Sequence, residues 1–427
     1  MYRDNNINRV LFYLILCVFI YVSHDFIITA QFGDYKQDFG YVEVRTGAHM
    51  FYWLYYTTAD VSHYTERPLI VWLQGGPGGS STATGNFEIL GPLDLSLQER
   101  NYTWIKNFNV IFLDNPVGTG FSYVDDLSLL TTTNDEIAQD FVKLMQGFYT
   151  NHPEFETVPL YIYGQSYGGK MAVDMGIRMR EAEQNGTIRS NLRGIAMGNA
   201  WISPVDATLT WGPLLLAAGL VDRSGYEDIQ REAREAERLF NAGQYHASTQ
   251  QWARTQSAVF RATTRNMMIM DISYGVPGRQ QYDLRTLMNT QVKQALSIPE
   301  KVVWGSQADA VFDTLRTDFM KPVTDADLKF FLENVATSRT IDTRQHSSNN
   351  LFNLTGQILW VDRLKWPGAE NYKNATRQPI WENNKLEGYY KSYGNFRFFW
   401  INKAGHSVPR DNPAGSNAFL RDMTSFG

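Results

Sequence analysis

Three stretches of the chain carry residues whose types and spacing can do chemistry. In "YIYGQSYGGKMA", residues 161–172, a run of strand formers stops at Gly164, Ser166 follows between glycines, and helix formers begin at once. A Gly-x-Ser-x-Gly between a buried strand and a helix forces the serine onto a strained turn. Its hydroxyl then projects above the sheet, beside the first backbone N–H groups of the helix. Those N–H groups can stabilise an oxyanion. A serine hydroxyl is a weak nucleophile until a base takes its proton, and histidine has the pKa for that work. Of the seven histidines, His24 falls within the first thirty residues, and His49, His63, His152, His246 and His346 have no partner motif around them. His406 stands apart, in a Gly-His turn directly after the strong strand pattern "FRFFWI" at 396–401. The third stretch is "WLQGGPGGSS", residues 72–81. Its glycines and proline bring bare backbone towards Ser166, so that the N–H of Gly76 can join that of Tyr167 in an oxyanion hole. A phosphate loop is excluded, because no Lys-Ser/Thr pair follows and the glycine spacing is wrong for a dinucleotide fold.

Positioning these groups needs a sheet. Residues 40–58 alternate apolar and polar side chains on both sides of a Thr-Gly turn, which predicts a hairpin. Short, almost wholly apolar runs follow at 68–73, 109–114, 159–164 and 194–198. Strands apolar on both faces belong to a parallel sheet covered by helices. One such helix is expected at 134–149, with Ile137, Phe141, Leu144 and Phe148 on one face. Strands alternating with helices give an α/β fold. The order serine then histidine along the chain fits an α/β-hydrolase with a central, mostly parallel sheet. The rhythm changes over 203–320, where a capping box at Ser224 and Glu227 and apolar residues at Tyr226, Ile229, Ala233, Ala236 and Phe240 predict helices. The expected organisation is therefore a core of residues 31–202 and 321–427 interrupted by a helical insertion, a cap, at 203–320.

The 427 residues can bury a large core, and 39 basic against 44 acidic residues leave a net charge of −5. Nothing is basic enough to hold nucleic acid. Arg3 and Arg9 precede an apolar run from Val10 to Val22, and Ala30 offers a small residue for cleavage, so residues 1–30 read as a signal peptide. The run is too short to span a bilayer, so no membrane association is expected after its removal. The single cysteine, Cys17, leaves with it. Sequons at Asn101, Asn185, Asn353 and Asn374 agree with a secreted glycoprotein, extracellular or lysosomal.

With "DNPVGTGFSY" (114–123) and "KAGHSVP" (403–409), the stretches above resemble the serine carboxypeptidases, peptidase family S10. The likeness is strongest to the retinoid-inducible branch, which shares Gln at 74, Gly at 79 and stretches similar to "AMGNAWISPVD" and "DRLKWPG". It runs from about Gly40 to the C-terminus. It implies an α/β-hydrolase core with a helical insertion, and an exopeptidase that removes C-terminal residues from peptides or proteins, often at acidic pH. Ser166 and His406 would be catalytic, Gly76 and Tyr167 the oxyanion hole, and Gln74 and Gln165 the grip on the terminal carboxylate. No cofactor or metal is implied.

The chain also departs from the family pattern. Counting back from Gly356 to the place of the family's catalytic acid lands on Asn349, in a segment without the expected apolar strand. Either Asn349 replaces the acid, or Asp342 or another carboxylate reaches the site. In a serine-protease triad the Asp-to-Asn exchange lowers kcat about 10⁴-fold. Gln165 stands where the family has a glutamate, and Ile89 where it has another, with Glu88 one place away. Because an amide donates at any pH, carboxylate binding is expected to lose part of its acid dependence. Two other readings compete: a carboxypeptidase-shaped binding protein that cannot turn over, and an acyltransferase with a small alcohol as acceptor.

Overall fold

The structure is a computed structural model that describes residues 32–263, 283–324, 326–329 and 354–426. The segment expected to be a signal peptide, with Cys17, the positions Asp342 and Asn349, and the sequon at Asn353 lie outside the described residues. Among those described, no helix is long and apolar enough to cross a membrane.

The hairpin forms as β1 (Gln37–Arg45) and β2 (Ala48–Tyr55), with Arg45 paired to Ala48 around the Thr46-Gly47 turn. Gly47 takes φ +75°, which a glycine adopts without strain. The four apolar runs become β3 (Leu69–Leu73), β4 (Asn109–Leu113), β6 (Leu160–Gln165) and β7 (Leu192–Gly198). With the short β5 (Tyr123–Val124) against β2, they build a seven-stranded sheet of order β1-β2-β4-β3-β6-β7. Strands β4, β3, β6 and β7 run parallel, while β1 and β2 are antiparallel to their neighbours.

The alternation along each buried strand sorts two cores. Val71, Leu73, Ile111 and Ile162 face one cluster, which includes Phe141 and Leu144 of helix α1 (Asn134–Asn151) and Met171 of helix α2 (Tyr167–Gln184). Ile70, Trp72, Phe112 and Tyr163 face the other, which includes Phe419 of the last helix (Pro413–Thr424). Burying both faces of every central strand is what made these runs so uniformly apolar.

From Pro204 to Phe319 the described residues form helices and no strand. The main pair is α3 (Arg223–Asn241) and α4 (Tyr245–Ala262). The expected capping box is corrected: α3 is capped two residues earlier by Asp222, whose carboxylate accepts from the N–H of Gly225 at 2.8 Å, so Ser224 and Glu227 both lie inside the helix. The apolar face is placed as expected, with Ile229, Ala233 and Ala236 buried.

The strand at 396–401 is real but belongs to a second sheet. β8 (Gln378–Glu382), β9 (Lys385–Tyr393) and β10 (Phe396–Ile401) form a three-stranded antiparallel sheet of order β10-β9-β8. Phe398 joins one core cluster and Phe399 and Ile401 the other, so the small sheet is seated on both sides. The last helix ties it to the central sheet, with Phe419 stacked on Tyr163 at 5.8 Å.

Candidate active site

Ser166 links β6 to α2 with φ 60° and ψ −125°, a backbone state that costs a non-glycine residue about 1–3 kcal/mol. The surroundings enforce it. Its N–H donates to Gly198 O at 2.9 Å, and its own carbonyl accepts from Trp201 N at 2.9 Å and Gly169 N at 3.0 Å. The flanking glycines are needed for close approach. A Cβ on Gly164 would lie 2.0 Å from the carbonyl oxygen of Gly168, and one on Gly168 would lie 2.4 Å from that of Leu73. Helix α2 thereby starts directly against the ends of β3 and β6.

The glycine-rich loop after β3 comes up against the serine from the other side. A Cβ on Gly75 would sit 2.5 Å from Ser166 Cβ and 3.0 Å from its Oγ, so bare backbone is required there. Gly76 follows with φ +117°, and Gly79 N closes the turn on Gly75 O at 2.9 Å. Asp114, a residue not singled out in the sequence, fixes this loop. Its fully buried carboxylate accepts from Ser80 Oγ (2.7 Å), Thr82 Oγ1 (2.7 Å), Thr82 N (3.1 Å) and Phe121 N (2.9 Å). Burial pushes its pKa up, and these four donors oppose that rise.

His406 lies in the loop between β10 and the turn at Val408–Asp411, and is buried. The loop is held by side-chain amides. Asn199, in the left-handed region at φ 47°, donates to His406 O at 3.0 Å and Gly405 O at 3.4 Å. Gln165 Nε2 donates to Ser407 Oγ at 3.1 Å. Asp411 Oδ2 accepts from Gly405 N at 2.7 Å, and Asn412 donates to Glu387 and to Asn402 O. The immediate neighbours of Ser166 and His406 in sequence, Gln165 and Ser407, are therefore in contact although 242 positions separate them. Burial, and less strongly the Arg410 guanidinium, lowers the His406 imidazole to about 4.

The family model described as serine carboxypeptidase matches residues 29–425. The chain belongs to the serine carboxypeptidase family. The retinoid-inducible serine carboxypeptidase of Mus musculus is 38% identical, over 88% of each chain. The human protein of the same name is 36% identical over 91% of each, and the serine carboxypeptidase-like 51 of Arabidopsis thaliana is 32% identical over 92% of this chain and 93% of its own. Among solved structures, Kex1(delta)p, a prohormone-processing carboxypeptidase from Saccharomyces cerevisiae, superposes with a TM-score of 0.78 at 19% identity, covering 92% of this chain and 91% of that one. That likeness supports the α/β-hydrolase fold.

Within this carboxypeptidase fold Gln74 follows the last residue of β3, and Gln165 is the last residue of β6. Gln74 Oε1 accepts from Trp72 Nε1 at 3.1 Å, and its N–H donates to Ser81 Oγ at 3.0 Å. Gln165 is buried, and the donor end expected to meet a carboxylate is engaged by Ser407. Ile89 is buried as well. Sequence reasoning missed a buried polar cluster beside the serine turn. Lys170 is buried with Nζ 3.3 Å from Asp318 Oδ2 and 2.9 Å from Lys321 O. Tyr167 donates its hydroxyl to the same Asp318 carboxylate at 3.3 Å and stacks on Phe319 at 5.9 Å. The only signal was a lysine in an otherwise apolar helix start; its partner is 148 residues away.

Proposed function

We propose that the chain is a serine carboxypeptidase in which Ser166 and His406 carry acyl-enzyme chemistry on peptides. Ser166 Oγ attacks the carbonyl of the last peptide bond while His406 accepts its proton and passes it to the leaving nitrogen. The N–H groups of Gly76 and Tyr167 hold the oxyanion, and a water activated by His406 then releases the acyl group. Gln74 and Gln165 take the terminal group of the substrate. The observation that carries this reading is the Gln165–Ser407 hydrogen bond, which draws the histidine loop onto the strained serine turn.

The helices of 203–320 act as a cap inserted into the hydrolase core, and no cofactor or metal takes part. Residues 1–30 direct the chain into the secretory pathway, to the extracellular space or the lysosome. The exposure of Asn101, Asn185 and Asn374 suits glycosylation. A catalytically inactive binding protein is the second reading, and Asn349 at the place of the family's acid favours it.

Incubation of the purified chain with an N-blocked dipeptide, followed by mass detection of the freed C-terminal amino acid, tests the proposal. Release that vanishes in Ser166→Ala supports it. No release by folded protein, with the peptide still bound, supports the binding protein.

A further inference from the structure

Stability alone does not account for the ion pair of Lys170 and Asp318, because apolar residues of similar volume often replace a buried pair without loss. What the polar groups add is direction. Tyr167, the residue after Ser166, donates its hydroxyl to Asp318 Oδ2 at 3.3 Å, and its ring lies 6° from parallel to that of Phe319 at 5.9 Å. One turn further along α2, Lys170 Nζ donates to the carbonyl oxygens of Asp318 and Lys321 and lies 3.3 Å from Asp318 Oδ2. Lys321 Nζ stands 3.5 Å from the other carboxylate oxygen, Oδ1. Trp201 ties the serine to the same place from another direction: its backbone N–H donates to Ser166 O at 2.9 Å and its Nε1 to Phe319 O at 3.1 Å. Tyr167, Lys170 and Trp201 thus all reach one short helix, Arg316–Phe319, and the residues just after it. Helix α4 braces that short helix, with Thr249 Oγ1 donating to Arg316 O at 2.6 Å and Trp252 packed on Phe319 at 4.8 Å.

Taking Ser166 as the nucleophile, as proposed above, we infer that Asp318 is a positioning residue for it: through the Tyr167 hydroxyl, Asp318 holds the serine turn at the aim that lets Oγ react. The glycine contacts fix the fold of the turn, and the side chains around it set its aim. A backbone at φ 60° persists only where its surroundings hold it. Acyl transfer is sensitive to that aim, since a displacement of about 1 Å can cost about 10²-fold in rate. Tyr167 is fully buried, so its phenol offers a substrate no surface to touch and acts through the backbone it shares with Ser166. Asp318 is buried as well, at the far end of that phenol. The helices of 204–319 therefore bear on the rate as well as on access to the site, because the short helix that carries Asp318 is seated on α4.

The deciding variant is Tyr167→Phe in the full chain, which removes one oxygen and leaves both the ring stack and the Lys170–Asp318 pair in place. Its kcat on an N-blocked dipeptide, and its rate of fluorophosphonate labelling at Ser166, should each fall by about tenfold. KM should stay as in wild type, and so should dipeptide binding when Tyr167→Phe is added to the non-reacting Ser166→Ala chain. Asp318→Asn keeps an oxygen acceptor for the phenol and should retain most of the rate that Tyr167→Phe loses. Asp318→Leu combined with Lys170→Met removes both buried charges; there the added Tyr167→Phe should cost nothing more, because its partner is already gone. Should that combination fail to fold, Tyr167→Phe decides alone. A Tyr167→Phe chain as fast as wild type, or one whose KM and dipeptide binding worsen in step with its rate, overturns the inference and leaves the hydrolase reading standing. Equal slowing by Asp318→Asn overturns it too, by assigning the role to the charge beside Lys170. Wild-type protein that neither releases an amino acid nor takes the label removes the inference and the hydrolase reading together.

Discussion

The serine turn and the histidine loop are held in different ways. The serine turn grows out of the middle of the seven-stranded sheet, and contacts between backbones fix it. Gly75, Gly164 and Gly168 each lie where an added Cβ would strike another backbone or Ser166 itself. The histidine loop grows out of a smaller antiparallel sheet, and side-chain hydrogen bonds hold it through Asn199, Gln165, Asp411 and Asn412. A backbone-packed turn tolerates no added atom, whereas an amide-tethered loop loosens one bond at a time. Damage to the glycines of the serine turn should therefore appear as lost folding, and damage to the histidine loop as lost rate in a folded protein.

Four changes test this contrast. The largest effect belongs to Gly168→Ala, whose methyl would meet the Leu73 carbonyl at 2.4 Å. It should lower unfolding stability by about 3 kcal/mol or more and abolish activity, both read by thermal unfolding and peptide assay. A stable, active variant would break the contrast. Asn349→Asp supplies a carboxylate at the place in the sequence where the family has its acid. It should raise kcat by about 10²-fold or more if the histidine lacks only its orienting acid. An unchanged kcat would point to Asp342 or to another carboxylate. Asn199→Gly keeps the left-handed backbone and removes the donor to His406 O. It should slow kcat about tenfold for about 1 kcal/mol of stability, since one neutral hydrogen bond is lost; a large loss of stability without a rate effect would contradict the tether. The pH profile is the finest test. Because burial lowers the His406 imidazole to about 4, the base stays unprotonated down to that pH. The acidic limb of kcat/KM should fall near 4, not near the ordinary 6.5. The same group makes folding less favourable as pH drops from 6.5 towards 4, where the unfolded chain takes up the proton first.

The contrast also explains what the sequence revealed. The runs at 68–73, 109–114, 159–164 and 194–198 each matched a strand within two residues, because burial on both faces demands apolar side chains throughout. The tight turn at Ser166 and the glycine loop at Gly76 were legible as backbone features, since close backbone approach requires glycines in a fixed order. The turn that carries His406 was legible only by its place after "FRFFWI". The partners of that strand, "QPIWE" and "KLEGYYKSY", have mixed patterns and were not seen as strands. They depend on pairing with β10 more than on their own periodicity. Lys170 with Asp318, and Asp114 with Ser80 and Thr82, were invisible because each joins distant segments through polar atoms that leave no period.

Labelling by a fluorophosphonate, with the modified peptide located by mass spectrometry, bears most directly on the claim that the two sides converge on one reaction. The wild type should be labelled stoichiometrically at Ser166, and His406→Ala should lose that labelling by about 10³-fold or more while remaining folded. Folded wild-type protein that stays unlabelled, or a His406→Ala variant labelled as fast as wild type, would contradict it.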